Sequence, residues 1–257
     1  MKIVVKENYA DMSKFAANII ADLVRSKPNC VLGFATGATP IGTYHELARM
    51  YKEEGLDFSK VISFNLDEYL GIGMNLKKTY DLDQSYRRFM YEELFSHINI
   101  KLENTHVPDG LAKDPDKFCL QYEAAIKSAG GIDLQVLGIG GDGHWAFNEP
   151  GASFKSRTHV ERLTKKTLDD NYEAFYKKAG VSAEQMPHFA LTMGIGTILE
   201  ARSLLMLVNG TRKAEIIAKA LEGPVNANVT ASAIQLYKGD STIVLDREAA
   251  AKLTYLG

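Results

Sequence analysis

Apolar positions along the chain recur at two periods, and the alternation between them predicts a series of strands and helices. Residues 2–5 form a short apolar run that reads as a strand. Residues 9–25 follow at helical spacing, with Phe15, Ala16, Ile19, Ile20, Leu23 and Val24 on one face. Residues 30–35 predict a second strand. A helix runs from about residue 41 to 53, with Pro40 suited to its first turn. Residues 61–66 predict a third strand that ends at Asp67-Glu68-Tyr69. The polar, lysine-bearing connection beyond it, running to Asp83, is long enough to suggest a functional loop. Residues 85–94 predict a helix, His106-Val107-Pro108 a strand end, residues 115–129 a helix, and residues 132–137 a buried strand.

The second half continues the pattern less regularly. A strand is expected around residues 158–163 and a helix at 168–178. Residues 189–193 read as a strand, 194–199 as a turn or short helix, and 203–208 as a strongly apolar strand. Gly210-Thr-Arg-Lys213 opens a helix that Gly223-Pro224 stops, and residues 241–245 predict the last strand. Strands alternating with helices imply an α/β fold: a single domain over residues 1–257, with a doubly wound, mostly parallel, Rossmann-like sheet covered by helices on both faces. No low-complexity linker, fixed-period repeat or heptad run interrupts it.

Composition narrows the function classes. With 257 residues, 46% of them hydrophobic, the chain can bury a sizeable core. A net charge of −2 with mixed signs gives no reason to expect a nucleic-acid or membrane partner, which points to a small-molecule ligand. Cys30 and Cys119 are too few for a disulfide scaffold or zinc site and read as reduced, structural residues. The first residues read as a strand, not a signal sequence, and no apolar run approaches the roughly 18 residues of a membrane span, so a cytoplasmic location is expected.

The densest chemistry lies in residues 137–151, Leu-Gly-Ile-Gly-Gly-Asp-Gly-His-Trp-Ala-Phe-Asn-Glu-Pro-Gly. Asp142, His144 and Glu149 follow a buried strand, where an open parallel sheet places its ligands. A histidine flanked by two carboxylates suits proton transfer, although a locally bonded structural histidine has the same neighbours. His45, His97, His106 and His188 have no such setting, and Trp145 and Phe147 read as packing for the turn. Thr36, Gly37, Ala38 and Thr39 stand between a strand and a helix, so their backbone N–H groups can cradle a phosphate; a tight glycine turn made only for packing looks the same. The Walker pattern is incomplete, which disfavours ATP. Asp67 and Glu68, at a strand end, offer either a catalytic base or a helix cap beside a solvated acid. Lys213 and Arg212, at a helix start, can reach an anion or simply face solvent. No second acidic cluster at ligand spacing appears, so no metal is expected.

Taken together, these residues resemble the glucosamine-6-phosphate deaminases, relatives of the 6-phosphogluconolactonases, over nearly the whole chain. The likeness rests on Ala35-Thr-Gly-Ala-Thr-Pro40, Asn65-Leu-Asp-Glu-Tyr69, residues 137–151, Ser156-Arg-Thr-His159, Ala190-Leu-Thr-Met-Gly194 and Gly210-Thr-Arg-Lys213. Phe147-Asn-Glu-Pro150 favours the deaminase branch. The resemblance implies conversion of an amino-sugar 6-phosphate and water to the ketose 6-phosphate and ammonia, without cofactor or metal. His144 would help open the sugar ring, oriented by Asp142 and Glu149. Asp67 would carry a proton between C2 and C1 through an enolamine, while residues 36–39 and Lys213 hold the phosphate.

Two departures from the family pattern stand out. Asn171-Tyr-Glu173 occupies the place of an Asn-Ser-Arg or Asn-Ala-Arg whose arginine helps bind phosphate, which leaves Lys177, Lys178 or Arg162 as substitutes or implies a different pocket. Ala152, His159 and Glu161 stand where regulated hexameric members carry a serine and basic residues, so no activation by an N-acetylamino-sugar phosphate is expected, and a monomer or small homo-oligomer is. The alternatives are a galactosamine-6-phosphate deaminase or isomerase, a lactonase-like hydrolase, and a non-catalytic sugar-phosphate sensor. The sensor is disfavoured because no helix-turn-helix segment or basic patch is attached.

Overall fold

The computed structural model describes residues 1–72, 85–177, 180 and 182–254. Seven parallel strands form the central sheet: β1 (Lys2–Lys6), β2 (Val31–Phe34), β3 (Ile62–Asn65), β5 (Thr105–His106), β6 (Leu134–Leu137), β9 (Ser203–Val208) and β10 (Asp240–Asp246). Their order is β1-β10-β9-β6-β2-β3-β5. The chain moves outward from β2 in one direction and from β6 in the other. The loops after these two neighbours therefore diverge and leave a crevice at the carboxyl edge.

Alternate residues of each buried strand face opposite layers, which is why the strands read as continuous apolar runs. Leu205 and Leu207 of β9 join α1 (Tyr9–Ser26), α2 (Ile41–Glu54) and α3 (Tyr86–Glu93) on one face. Leu204, Met206 and Val208 join α4 (Pro115–Ser128), α6 (Ile195–Ile198) and α7 (Ala214–Glu222) on the other. The doubly wound expectation is met. Cys30 and Cys119 are free and buried; burial pushes their thiols up to about 12 and about 11, so both are inert packing groups. No helix among the described residues is long and apolar enough to cross a membrane.

A second, three-stranded antiparallel sheet has the order β4-β8-β7, built from β4 (Asp67–Tyr69), β7 (His159–Arg162) and β8 (Phe189–Thr192). Asp67 and Glu68 thus do not simply end β3. At Leu66 the backbone N–H still donates to Phe34 of β2, but its carbonyl accepts from Met193, and from Asp67 onward the chain pairs with β8. The helix expected at 168–178 lies earlier: Thr164 caps α5 (Lys165–Asn171), and a wider π turn over Tyr172–Tyr176 ends it. A short α8 (Arg247–Ala250) follows β10. Most of the polar connection to Asp83 and Lys178 lie outside the described residues.

Candidate active site

Four strand ends deliver their loops to one cleft of about 370 Å³, lined by Thr36–Thr39, Asp67, Tyr86, Gly138–Gly141, His144, Phe147, Thr167, Asp170, Asn171 and Lys213, among others. The phosphate-cradle candidate after β2 is held from three sides. Tyr44 of α2 donates its hydroxyl to the Ala35 carbonyl (2.5 Å), Tyr9 of α1 donates to Ala38 (3.1 Å), and Thr39 Oγ1 donates to Asn209 beyond β9 (2.7 Å). Gly37 turns the loop with φ +96°, a left-handed conformation that costs glycine little. The start of α2 then aims its dipole along the same loop.

Lys213 approaches the cleft from a 3-10 turn, Thr211–Lys213, between β9 and α7. Its ammonium donates to the Ile139 carbonyl at 2.8 Å. Burial lowers its pKa, opposed by the negative charges of Asp142 and Asp170. Asp246 at the end of β10 fixes this turn by accepting from the Gly210 N–H at 3.0 and 3.1 Å. Arg212 is exposed and does not line the cleft, so of the two bases only Lys213 is placed to meet an anion.

The loop after β6 brings Asp142, His144 and Glu149 together. Asp142 Oδ1 lies 2.6 Å from His144 Nδ1 in a close contact that is not aligned as a hydrogen bond, and it accepts from the His144 backbone N–H at 3.2 Å. Burial opposes the Asp142 charge, but the His144 ring and backbone outweigh it and hold the carboxyl down at about 2. Glu149 is 5% exposed and accepts from the Thr164 N–H and hydroxyl at 3.1 and 3.2 Å. One donor atom from each of the three lies within 4.8 Å of the others, a spacing that could also hold a cation.

Local sequence explains this loop. A side chain at Gly140 would overlap the His144 ring. Gly143 sits at φ +93°, and Ala146 is the one described non-glycine residue with positive φ, at +51°. Asn148 anchors the turn through Nδ2 bonds to Trp145 and Met193 carbonyls at 2.9 and 2.8 Å. Trp145 is fully buried beneath it, so the aromatic residues flanking His144 do pack the turn, while Phe147 also reaches the cleft wall.

Asp67, 6% exposed, faces these groups from β4. Burial, with the adjacent Glu68 charge adding to it, pushes its carboxyl up to about 8. Glu68 turns away and is buried. It accepts from Tyr69 N–H (3.0 Å), Tyr86 N–H (2.9 Å), Arg87 N–H (3.0 Å) and Ser85 Oγ (2.9 Å). The pair therefore divides as one acid in the cleft and one acid capping a helix, α3, from elsewhere in the chain.

Several cleft residues had no signal in the sequence. Tyr86 comes from α3, its ring stacked on Phe147 (centroids 5.9 Å apart) and its hydroxyl 3.3 Å from that of Tyr69. Thr167, Asp170 and Asn171 come from α5. Glu173, expected in place of an arginine, is exposed and paired with Lys177 at 2.9 Å outside the cleft lining, which occupies both groups. Arg162 is exposed as well. Lys166 instead stands near Gly141, paired with Asp170 at 2.7 Å.

The sheet edge and its charged groups describe an α/β protein with a small-molecule site in its crevice, and comparison with known proteins gives the family. Residues 5–244 match the family of glucosamine-6-phosphate isomerases and 6-phosphogluconolactonases, and the chain belongs to it. It is 49% identical over 253 residues to a glucosamine-6-phosphate deaminase of Alkaliphilus oremlandii, covering 98% of this chain and 100% of that one. A Thermoanaerobacter sp. (strain X514) protein of the same name is 47% identical over 251 residues, 98% of this chain and 94% of that one. A solved monomeric glucosamine-6-phosphate deaminase, 42% identical, superposes with a TM-score of 0.89 over 98% of this chain and 100% of its own. A 6-phosphogluconolactonase from Trypanosoma cruzi shares the fold at 20% identity, with a TM-score of 0.74 over 99% of this chain and 97% of its own.

Proposed function

We propose that this chain converts glucosamine 6-phosphate and water to fructose 6-phosphate and ammonia. The observation that carries this reading is one cleft holding a buried carboxyl, Asp67, across from the His144 group, with a separate anion cradle at residues 36–39 and Lys213. The phosphate binds the cradle, and its binding energy places the sugar carbons at the other end. His144, oriented by Asp142 and Glu149, moves the proton from the C1 hydroxyl to the ring oxygen as the ring opens. Asp67 takes the C2 proton while the C1 carbonyl oxygen takes one from the C2 ammonium, giving an enolamine, and Asp67 returns its proton to C1 to leave a protonated imine at C2. Water then adds to the C2 imine, and ammonia leaves.

Burial, with the Glu68 charge adding to it, pushes the Asp67 carboxyl up to about 8. The substrate ammonium at C2 favours the carboxylate, so binding itself prepares the base. The test is Asp67→Asn. Turnover is expected to fall at least 1,000-fold, about 4 kcal/mol of barrier, with inorganic phosphate still competing for the cradle; near-normal turnover in the purified variant would remove Asp67 from this role.

The similarity to a monomeric deaminase supports a monomer or small oligomer.

A further inference from the structure

Glu68 does more than cap a helix. It is 1% exposed, yet its two oxygens accept four hydrogen bonds, three of them from consecutive residues 85–87 at the start of α3. Tyr86 belongs to that turn. Its ring lies on Phe147 and lines the cleft beside Asp67. The carboxylate that fixes α3 is thus bonded through the backbone to the residue that bears the shuttle candidate. We propose that Glu68 is a positioning residue for proton transfer: it pins Tyr86 and the first turn of α3 against the cleft, and it presents a fixed second negative charge to Asp67. The electrostatic half can be tested without turnover; the catalytic half rests on Asp67 acting as the base.

Among the described residues Glu68 is the dominant charge on Asp67. Tyr69 on β4, Tyr86 on α3, Tyr44 on α2 and Tyr122 on α4 all lie within electrostatic reach of Asp67, and burial pushes each phenol far above its usual range, so they stay neutral. Arg87 directs its guanidinium to the Val107 carbonyl at 2.7 Å. His144, Lys213 and Asp170 stand on the other walls of the cleft. Burial raises Glu68 as well, against four donors that favour its charge. Among the described residues Glu68 has four donors that favour its charge while Asp67 faces the cleft, an arrangement that favours the exchangeable proton on Asp67.

The test compares unfolding free energy against pH for the wild-type chain and Asp67→Asn, then repeats the pair in Glu68→Gln and Ser85→Ala backgrounds. The pH at which the Asp67-dependent difference levels off reports how tightly that carboxyl holds its proton. It is expected to move down by about one unit or more with Glu68→Gln, and to stay within a few tenths with Ser85→Ala, which weakens the same turn but keeps the charge. The acid limb of kcat/KM is expected to move with it. An unmoved levelling point in Glu68→Gln, or an equal movement in Ser85→Ala, overturns the proposal. A moved levelling point with an unmoved acid limb supports the charge coupling and rejects Asp67 as the shuttle. Should Glu68→Gln fail to fold, Glu68→Asp keeps the charge on a shorter arm. A raised KM with the acid limb in place supports the pinning role, and an acid limb displaced by a unit overturns the charge role.

Discussion

Replacing Asp67 with asparagine should make the protein more stable while disabling it. The side chain is 6% exposed, and its carboxyl is pushed from an ordinary 3.8 up to about 8. That gap of about four pH units corresponds to an upper bound on the order of 5 kcal/mol, at about 1.4 kcal/mol per unit. The sign follows from proton linkage: the folded state binds the proton more tightly than the unfolded state. The stability it contributes is fully present below pH 3.8 and is lost as pH rises to about 8. Asparagine has nearly the same shape and carries no charge to desolvate. Urea unfolding of both chains from pH 4.5 to 9 should show a small difference at the acid end, growing by roughly 2–5 kcal/mol in favour of the variant by pH 9. A difference independent of pH would refute the claim that Asp67 is held as a buried, proton-bound acid.

Gly140→Ala places a methyl group against the His144 ring, so kcat/KM should fall at least tenfold while the melting temperature changes little; unchanged kinetics would show that the ring has room to move. Lys213→Ala removes a half-buried ammonium, and loss of a charge-assisted bond worth about 1.5–3 kcal/mol should raise KM roughly 10- to 100-fold. Glu173→Ala should leave KM unchanged, since that residue is exposed and paired with Lys177. Arg157 is occupied by Glu123 and Glu200, and His159 by Glu161 at 3.0 Å. N-acetylglucosamine 6-phosphate should therefore leave the rate curve hyperbolic, whereas a sigmoidal curve that it straightens would contradict this.

The layered sheet was legible because each central strand is apolar on both faces and each long helix on one. The loops at 36–39 and 138–151 were legible because glycines concentrate where a backbone must turn left or approach a ring. β4 was not, since its pairing with β8 joins segments more than a hundred residues apart and leaves no local pattern. Tyr86 was hidden for the same reason: its turn is tied to the cleft by Glu68, Phe147 and Tyr69, contacts made through the fold and not through local sequence. In α5 the Thr164 cap precedes polar residues that carry no apolar period, so the helix was expected three residues late and its cleft-facing Thr167, Asp170 and Asn171 went unread. Glu173, which stands in the place of the family's arginine, lies in the π turn after Asn171 and outside the cleft lining, a placement that no local pattern announces.

The most direct test of the account is the purified chain incubated with glucosamine 6-phosphate, with ammonia and fructose 6-phosphate measured together and the galactosamine epimer run in parallel. The account predicts both products in equal amounts from glucosamine 6-phosphate. Tight binding of a hexosamine 6-phosphate with no ammonia released from either would contradict it and leave the cleft a sensor.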